Sequence, residues 1–226
     1  MKRIIKRIFL IIILLFVSVG IILGGSGYIY YRDVIEQAPL EEKIELLYQQ
    51  YGYTTIDDMS PHFINALIAV EDRRFELHGG FDPIGIVRAG ITNFYAKKIV
   101  QGGSTITQQL AKNLYFTSEQ TIIRKVAEIF MAMNIERHYT KDEIFEFYAN
   151  IIFYGKNSYG IGVASWEFFD KAPSELTIEQ SAFLAGLPQA PSLYSVNTNL
   201  GNARQQEVLA ALIDVGYIDE NLKLID

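Results

Sequence analysis

The feature that most constrains this 226-residue chain is an uncharged segment near its N-terminus. Residues 8–31 form a run of 24 positions without a charge, and residues 8–23 are apolar except for Ser18 and Gly20. Because a helix of about 20 apolar residues crosses a bilayer, the sequence predicts a transmembrane anchor over residues 8–31. A cleaved signal peptide is the alternative, which the small residues 24–27 would allow. No A-x-A-like cleavage site follows, so the retained anchor is favoured.

Basic residues flank this segment on its N-terminal side only. Residues 1–7 carry Lys2, Arg3, Lys6 and Arg7 and no acid, which predicts a cytoplasmic tail and a domain on the outer side of the membrane. Without these four cations the net charge of the chain falls from −6 to −10. So acidic a domain argues against nucleic acid as a partner. An anionic substrate would have to be held by a local basic cluster.

The rest of the chain is predicted to be a connector at residues 32–55 and one domain at residues 56–226. The chain contains no cysteine, which excludes disulfides and thiolate metal sites. Apolar residues recur at helical spacing, and neither repeats nor long strands are found, so the domain is predicted to be mainly α-helical. Capping signals and periodicity predict helices that begin at Ser60-Pro61, Thr121, Thr140, Gly162, Thr177 and Arg204.

A carboxylate follows the apolar stripe of the helix that begins at Pro61. Glu71 lies at the end of this helix, just before a loop that contains Gly79 and Gly80. Partial desolvation in a cleft would raise the pKa of such a carboxyl, as a general base or acid requires. The alternative is that Glu71 or Asp72 pairs on the surface with one of the two arginines that follow.

The segment from Ile84 to Val100 is apolar and aromatic, and only Arg88, Lys97 and Lys98 are charged. Apolar bulk with basic residues is typical of a surface that enters anionic headgroups. The alternative is a core helix with a basic end.

Two glycines open a polar stretch from Gly102 to Asn113. If a helix begins near Ser104, then Ser104, Gln108 and Lys112 share one face at a spacing of four residues. That face would suit an anionic, hydroxyl-rich ligand such as a sugar phosphate. A capped surface helix is the alternative.

A second carboxylate lies in the helix predicted from Thr121 to His138. Arg124 and Glu128 are four residues apart on one face, with Lys125 beside them. From the spacing alone, the simplest interpretation is a helical salt bridge worth a few tenths of a kcal/mol.

Five short motifs follow one another between residues 71 and 209. They read Glu71-Asp72-x-x-Phe75-x-x-His78-x-Gly80, Gly103-Ser104-Thr105-Ile106-Thr107-Gln108-Gln109-x-x-Lys112-Asn113, Arg124-Lys125-x-x-Glu128, Lys141-x-Glu143-Ile144-x-x-x-Tyr148-x-Asn150 and Arg204-x-x-x-Val208-Leu209. In this order they resemble the motifs of the peptidoglycan glycosyltransferases of family 51, over residues 56–217. That family includes monofunctional transglycosylases and the N-terminal domains of class A penicillin-binding proteins.

The resemblance implies a lysozyme-like α-helical lobe and a smaller, membrane-facing lobe that includes residues 84–100. It implies polymerisation of lipid II, with the growing glycan on undecaprenyl pyrophosphate as donor, at the bacterial plasma membrane. Glu71 would be the general base, and Glu128 the second carboxylate, near the pyrophosphate or a divalent ion such as Mg²⁺ or Mn²⁺. The phosphate–sugar site would be lined by Ser104, Gln108, Gln109, Lys112, Arg124 and Lys125. Other cell-wall synthesis proteins are the expected partners, and no organic cofactor is implied.

Two departures and two rival functions accompany the resemblance. Family members often carry an arginine before the third motif, where Gln120 aligns here, and Leu212 replaces a frequent methionine. Few residues follow the last motif, so a monofunctional enzyme without a transpeptidase domain is expected. The rivals are a muramidase-like hydrolase that uses Glu71 and Glu128, and an inactive membrane-tethered binding protein.

Overall fold

The structure, a computed structural model, describes residues 2–97, 102–117 and 119–225. The expected mainly α-helical architecture with an apolar N-terminal helix is confirmed. The helices are α1 (Lys2–Gln37), α2 (Leu40–Tyr48), α3 (Pro61–Glu71), α4 (Pro83–Ala96), α5 (Ile106–Tyr115), α6 (Ile122–His138), α7 (Lys141–Ile151), α8 (Ile161–Phe169), α9 (Ile178–Gly186), α10 (Pro191–Tyr194) and α11 (Thr198–Asp214).

The core is shared by most of the helices, among them α3, α5 and α7. Helix α3 packs on α9 and α11, and α5 packs on both α6 and α7. Phe63, Leu110, Phe145 and Tyr148 are fully buried there. Burying a side chain such as Phe63 or Leu110 stabilises the fold by about 1.5–3 kcal/mol. This core holds the end of α3 and the start of α5 in fixed positions, and both lie at the site described below.

Helix α1 is longer than the predicted anchor. It continues beyond residue 31 to Gln37, because the first helix breaker on its C-terminal side is Pro39, which precedes α2. Among the described residues one helical stretch, Ile4–Gln37, is long and apolar enough to cross a membrane, and its most apolar window has a mean hydropathy of 3.0. The side chains in that window are exposed in the folded chain.

The C-terminal part of α1 packs against α6. Gly27 is buried, and a Cβ atom placed on it would lie 2.6 Å from Cβ of Val126. The ring of Phe130 contacts Tyr28 and Tyr31, at centroid distances of 5.3 and 6.1 Å. The close approach at Gly27 therefore requires a residue without a side chain, and it fixes α1 to the helix that carries Glu128.

Most of the predicted helix caps are present in the structure. Thr140 and Glu143 form the expected capping box, and Thr177 caps α9 in the same way. Ser60 occupies the N-cap position of α3, but its hydroxyl donates to the Leu176 carbonyl (3.0 Å) and caps nothing. Helix α11 begins at Thr198, before the expected start at Arg204, because Asn197 accepts a hydrogen bond from Leu200 N.

Helix α4 is not the core helix that the sequence left open as an alternative. Its large apolar side chains Ile84, Val87, Ile91, Phe94 and Tyr95 are each more than half exposed. Asp82 caps its start by accepting a hydrogen bond from Ile84 N. Residues 98–100, which complete the predicted segment, lie outside the described residues.

Candidate active site

A cleft of ≈ 760 Å³ opens between the end of α3, the start of α5 and the first turns of α6. Helices α4 and α11 contribute to its walls. All eight candidate site residues from the sequence line it: Glu71, Ser104, Gln108, Gln109, Lys112, Arg124, Lys125 and Glu128. The fold therefore brings three separate sequence motifs to one cavity.

Glu71, the last residue of α3, is half-buried in the wall of the cleft. Its Oε2 accepts a hydrogen bond from Gln109 Nε2 at 2.6 Å. Burial raises the pKa of Glu71 above its ordinary value, although the hydrogen bond from Gln109 and the charge of Arg204 act in the opposite direction. The raised pKa fits the sequence-based expectation for a general base or acid.

The surface pairing that was the alternative for Glu71 is not found among the described residues. Arg73 lies 3.8 Å from Asp214, and Arg74 contacts Asp82 at 3.1 Å. Because both arginines face other carboxylates, neither of them pairs with Glu71, whose carboxyl group lines the cleft.

Asp72, the next residue, connects α3 to α5. Its Oδ2 accepts a hydrogen bond from Ile106 N (3.1 Å), and its Oδ1 lies 2.9 Å from His78 Nε2. The other ring nitrogen of His78 faces the Gly79 carbonyl. Burial alone would lower the pKa of His78, but Asp72 and this carbonyl outweigh it and raise the pKa. The three residues fix the start of α5 next to Glu71.

Helix α5 begins at Ile106, with Thr105 as its N-cap, and not at Ser104. Thr105 Oγ1 accepts from Gln108 N (3.1 Å), while Gln108 Oε1 accepts from Thr105 N (3.3 Å). The oxygen of Gln108 is thus used for capping, whereas its buried Nε2 has no hydrogen-bond partner in the described part of the chain. The signal for this cap was present in the sequence, because Thr105 and Gln108 have the spacing of a capping box.

Lys112 is exposed at the cleft, one turn after Gln108. Within residues 2–97, 102–117 and 119–225 it has no ion-pair partner. Ser104 lies before the helix, and its hydroxyl receives a hydrogen bond from Lys125 Nζ at 2.6 Å. Ser104, Gln108 and Lys112 therefore all lie in one wall of the cleft. Lys112 is the cation of this wall, and among the described residues it pairs with no carboxylate.

Glu128 is 1% exposed and lies between two cations. Its Oε1 is 3.2 Å from Arg124 Nε, and its Oε2 is 3.0 Å from Lys125 Nζ. Arg124 also donates from Nη1 to the Thr117 carbonyl (2.8 Å). The helical salt bridge that the sequence suggested therefore exists, and it lies in the cleft wall.

The residues that line this cleft carry a small excess of positive charge. Six basic and five acidic residues line it, although the whole chain has a net charge of −6. Gln120 is exposed and is not among the described residues that line the cleft. Such local enrichment attracts an anionic ligand to one place on an acidic protein.

Two residues of the later motifs, for which the sequence predicted no role, also contribute to the site. Arg204 of α11 lines the cleft and pairs with Glu207 (2.8 Å). Its positive charge acts to lower the pKa of Glu71. Tyr148 of α7 is fully buried and donates to Gln109 Oε1 at 3.0 Å. Tyr148 belongs to the fourth sequence motif and Arg204 to the fifth, and this membership was the only sign in the sequence that they serve the site.

Comparison with known proteins bears directly on this cleft. The family described as "Transglycosylase" matches residues 39–213, which include every residue of the site. The chain belongs to the transglycosylase family. Similar proteins include penicillin-binding protein 1A of Escherichia coli K12, 40% identical over 91% of this chain and 27% of that protein. Penicillin-binding protein 1A of Aquifex aeolicus is 46% identical over 75% of this chain and 24% of its own length.

Penicillin-binding protein 1F of Bacillus subtilis is 41% identical over 73% of this chain and 23% of that protein. This transglycosylase chain thus spans about a quarter of the length of the curated relatives it matches. The resemblance first read from five motifs is confirmed at the level of the family.

Proposed function

We propose that this chain is a peptidoglycan glycosyltransferase, which polymerises lipid II and releases undecaprenyl pyrophosphate. The observation that supports it best is one cleft that holds the half-buried Glu71 together with Lys112, Arg124 and Lys125. A glycan hydrolase has no need of a cationic site for a pyrophosphate. A polymerase that uses a pyrophosphate-linked donor does need one.

In this proposal Glu71 acts on the acceptor sugar. Its carboxylate takes the proton of the acceptor 4-hydroxyl as the hydroxyl oxygen attacks the anomeric carbon of the donor. The bond between that carbon and the pyrophosphate oxygen breaks, and both electrons leave with the pyrophosphate. Gln109 holds one oxygen of Glu71 through its N–H (2.6 Å), which leaves the other oxygen for the proton.

The cations act on the departing pyrophosphate. Lys112 is free to approach it, while Arg124 and Lys125 are held in place by Glu128 and Ser104. Pre-positioned positive charges stabilise negative charge that develops in the transition state. Glu128 therefore has an indirect part, because it orients cations and does not itself transfer a proton. Gln108 Nε2 is a further donor for the sugar or phosphate.

The family resemblance implied Mg²⁺ or Mn²⁺ near Glu128. The donors there do not fit a resident divalent ion, because both oxygens of Glu128 already face Arg124 and Lys125, and these cations would repel it. We therefore propose no step through a metal, and we assign neutralisation of the pyrophosphate to the side-chain cations.

We place the enzyme at the bacterial plasma membrane, with residues 1–7 in the cytoplasm, a single anchor in α1 and the catalytic domain outside. The length of α1 and its basic N-terminal flank support this. The exposed apolar face of α4, which carries Arg88, supports a second contact with the headgroup layer. Lipid II and the nascent glycan on undecaprenyl pyrophosphate would reach the cleft from that layer, and cell-wall synthesis proteins are the proposed partners.

The decisive experiment supplies the purified protein in detergent with labelled lipid II. We expect glycan polymer and free undecaprenyl pyrophosphate, and we expect Glu71→Gln to abolish both while the far-ultraviolet circular dichroism stays the same. Trimming of preformed glycan without polymerisation would support the muramidase-like alternative. Absence of any turnover, with lipid II still bound, would support the inactive binding protein.

A further inference from the structure

A chain of hydrogen bonds leads from the protein core to Glu71. Tyr148 Oη donates to Gln109 Oε1 at 3.0 Å, and Gln109 Nε2 donates to Glu71 Oε2 at 2.6 Å. The three residues belong to α7, α5 and α3, so the chain crosses three helices. Tyr148 is fully buried, and it does not line the cleft.

The direction of this chain follows from the chemistry of its members. An ionised carboxylate only accepts hydrogen bonds, whereas the amide of Gln109 has an accepting oxygen and a donating nitrogen. Burial raises the pKa of Tyr148 well above its ordinary value. Its phenol therefore stays protonated and donates a hydrogen bond to the amide oxygen. With its oxygen held by Tyr148, Gln109 must present its N–H to Glu71.

We infer that Tyr148 is a positioning residue, which sets the orientation of the Gln109 amide and thereby the hydrogen bond that Glu71 receives. The inference rests on the proposed function of Glu71 as the base. Without the hydroxyl of Tyr148, the amide oxygen of Gln109 loses this donor, and the amide can turn that oxygen toward Glu71 when the carboxyl is protonated. The reversed amide would accept a hydrogen bond from the neutral carboxyl, and the carboxyl would hold its proton to a higher pH.

Tyr148→Phe removes the hydroxyl and keeps the ring in the core. We expect the acid limb of the kcat/KM against pH profile to move up by about one pH unit, because the reversed amide favours the neutral carboxyl by roughly the free energy of one hydrogen bond. At a pH on that limb the loss is about tenfold, and it is recovered at alkaline pH once Glu71 is ionised. A purely structural role for Tyr148 would lower the rate by the same factor at every pH.

Tyr154→Phe is the matched control. Tyr154 is also fully buried, but its hydroxyl donates to the Ala149 carbonyl (3.2 Å) and not to Gln109. We expect this variant to keep the wild-type pH profile. The double variant Tyr148→Phe with Gln109→Leu should show the same limb as Gln109→Leu alone, because Tyr148 acts only through the amide.

A measurement that needs no turnover separates this inference from the proposed function. Titration of ¹³C-labelled glutamate carboxyls by NMR, with Glu71 assigned through Glu71→Gln, gives its pKa in the wild type and in Tyr148→Phe. A higher pKa in Tyr148→Phe, with no change in Tyr154→Phe, supports the positioning role even if lipid II is not the substrate. An unchanged Glu71 pKa in a folded Tyr148→Phe protein would overturn it.

Discussion

Replacing Glu128 by glutamine should destabilise the fold more than its conservative size suggests. The carboxylate is 1% exposed, and the Arg124 side chain that faces it is 11% exposed, so the substitution leaves a mostly buried guanidinium without its counter-charge. Removing one partner of a buried ion pair costs about 3–5 kcal/mol. The Nε–H of Arg124 is not aligned as a hydrogen bond to Oε1, so we take the lower end, about 3 kcal/mol. Lys125, which is 43% exposed, adds little because solvent screens its charge.

The chain offers a matched control for Glu128→Gln. Glu207 pairs with Arg204 in the same cleft at 2.8 Å, but its side chain is 66% exposed. Glu207→Gln should therefore cost at most about 1 kcal/mol. Urea unfolding in a fixed detergent, followed by tryptophan fluorescence of Trp166 and by circular dichroism, measures both variants. Equal free energies of unfolding for Glu128→Gln and Glu207→Gln would refute the reasoning that the burial of Glu128 determines the cost.

Two further predictions concern Lys112 and His78. Lys112→Ala should lower kcat/KM for lipid II far more than Lys223→Ala, an exposed lysine outside the cleft, and equal effects in the polymerisation assay would contradict the role of Lys112 at the pyrophosphate. Because the pKa of His78 is raised in the folded state, its pairing with Asp72 contributes stability that is fully present below the unfolded pKa of about 6.5 and is lost as pH rises through the folded pKa. The urea midpoint of the wild type should therefore fall across that window more than the midpoint of His78→Asn does, and parallel curves for the two proteins would count against the His78 assignment.

Features that depend on near neighbours in the chain could be predicted from the sequence. The capping box of Thr140 with Glu143 spans three residues, and the apolar run of α1 is continuous, so both follow from local rules. Helix α5 begins two residues after Ser104, because Ser104 and Thr105 are both capable caps and Gln108, three residues after Thr105, selects Thr105.

Features that depend on distant segments could not be predicted from residue pattern alone. Gln109 is 38 residues from Glu71 and 39 from Tyr148, so nothing local indicates that the three meet. The resemblance to a family placed Glu71 and Gln109 in one site, but it said nothing of which atom faces which. The packing of Gly27 on Val126 was equally hidden, because a glycine near the end of an apolar segment is also compatible with a cleavage site.

The unbroken helix α1 has a consequence for where the reaction takes place. Its 36 residues are about 54 Å long, whereas the hydrocarbon core of a bilayer is about 30 Å thick. Part of the remaining length precedes the anchor, and the C-terminal part of α1 packs on α6 through Gly27 and Phe130. In the proposed membrane arrangement, α1 therefore joins the bilayer directly to the helix that carries Glu128. In that arrangement, the packing of α1 on α6 sets the height of the cleft above the lipid. For the proposed polymerase, the growing glycan would slide past a stationary cleft, and each new lipid-linked sugar would enter at the same depth.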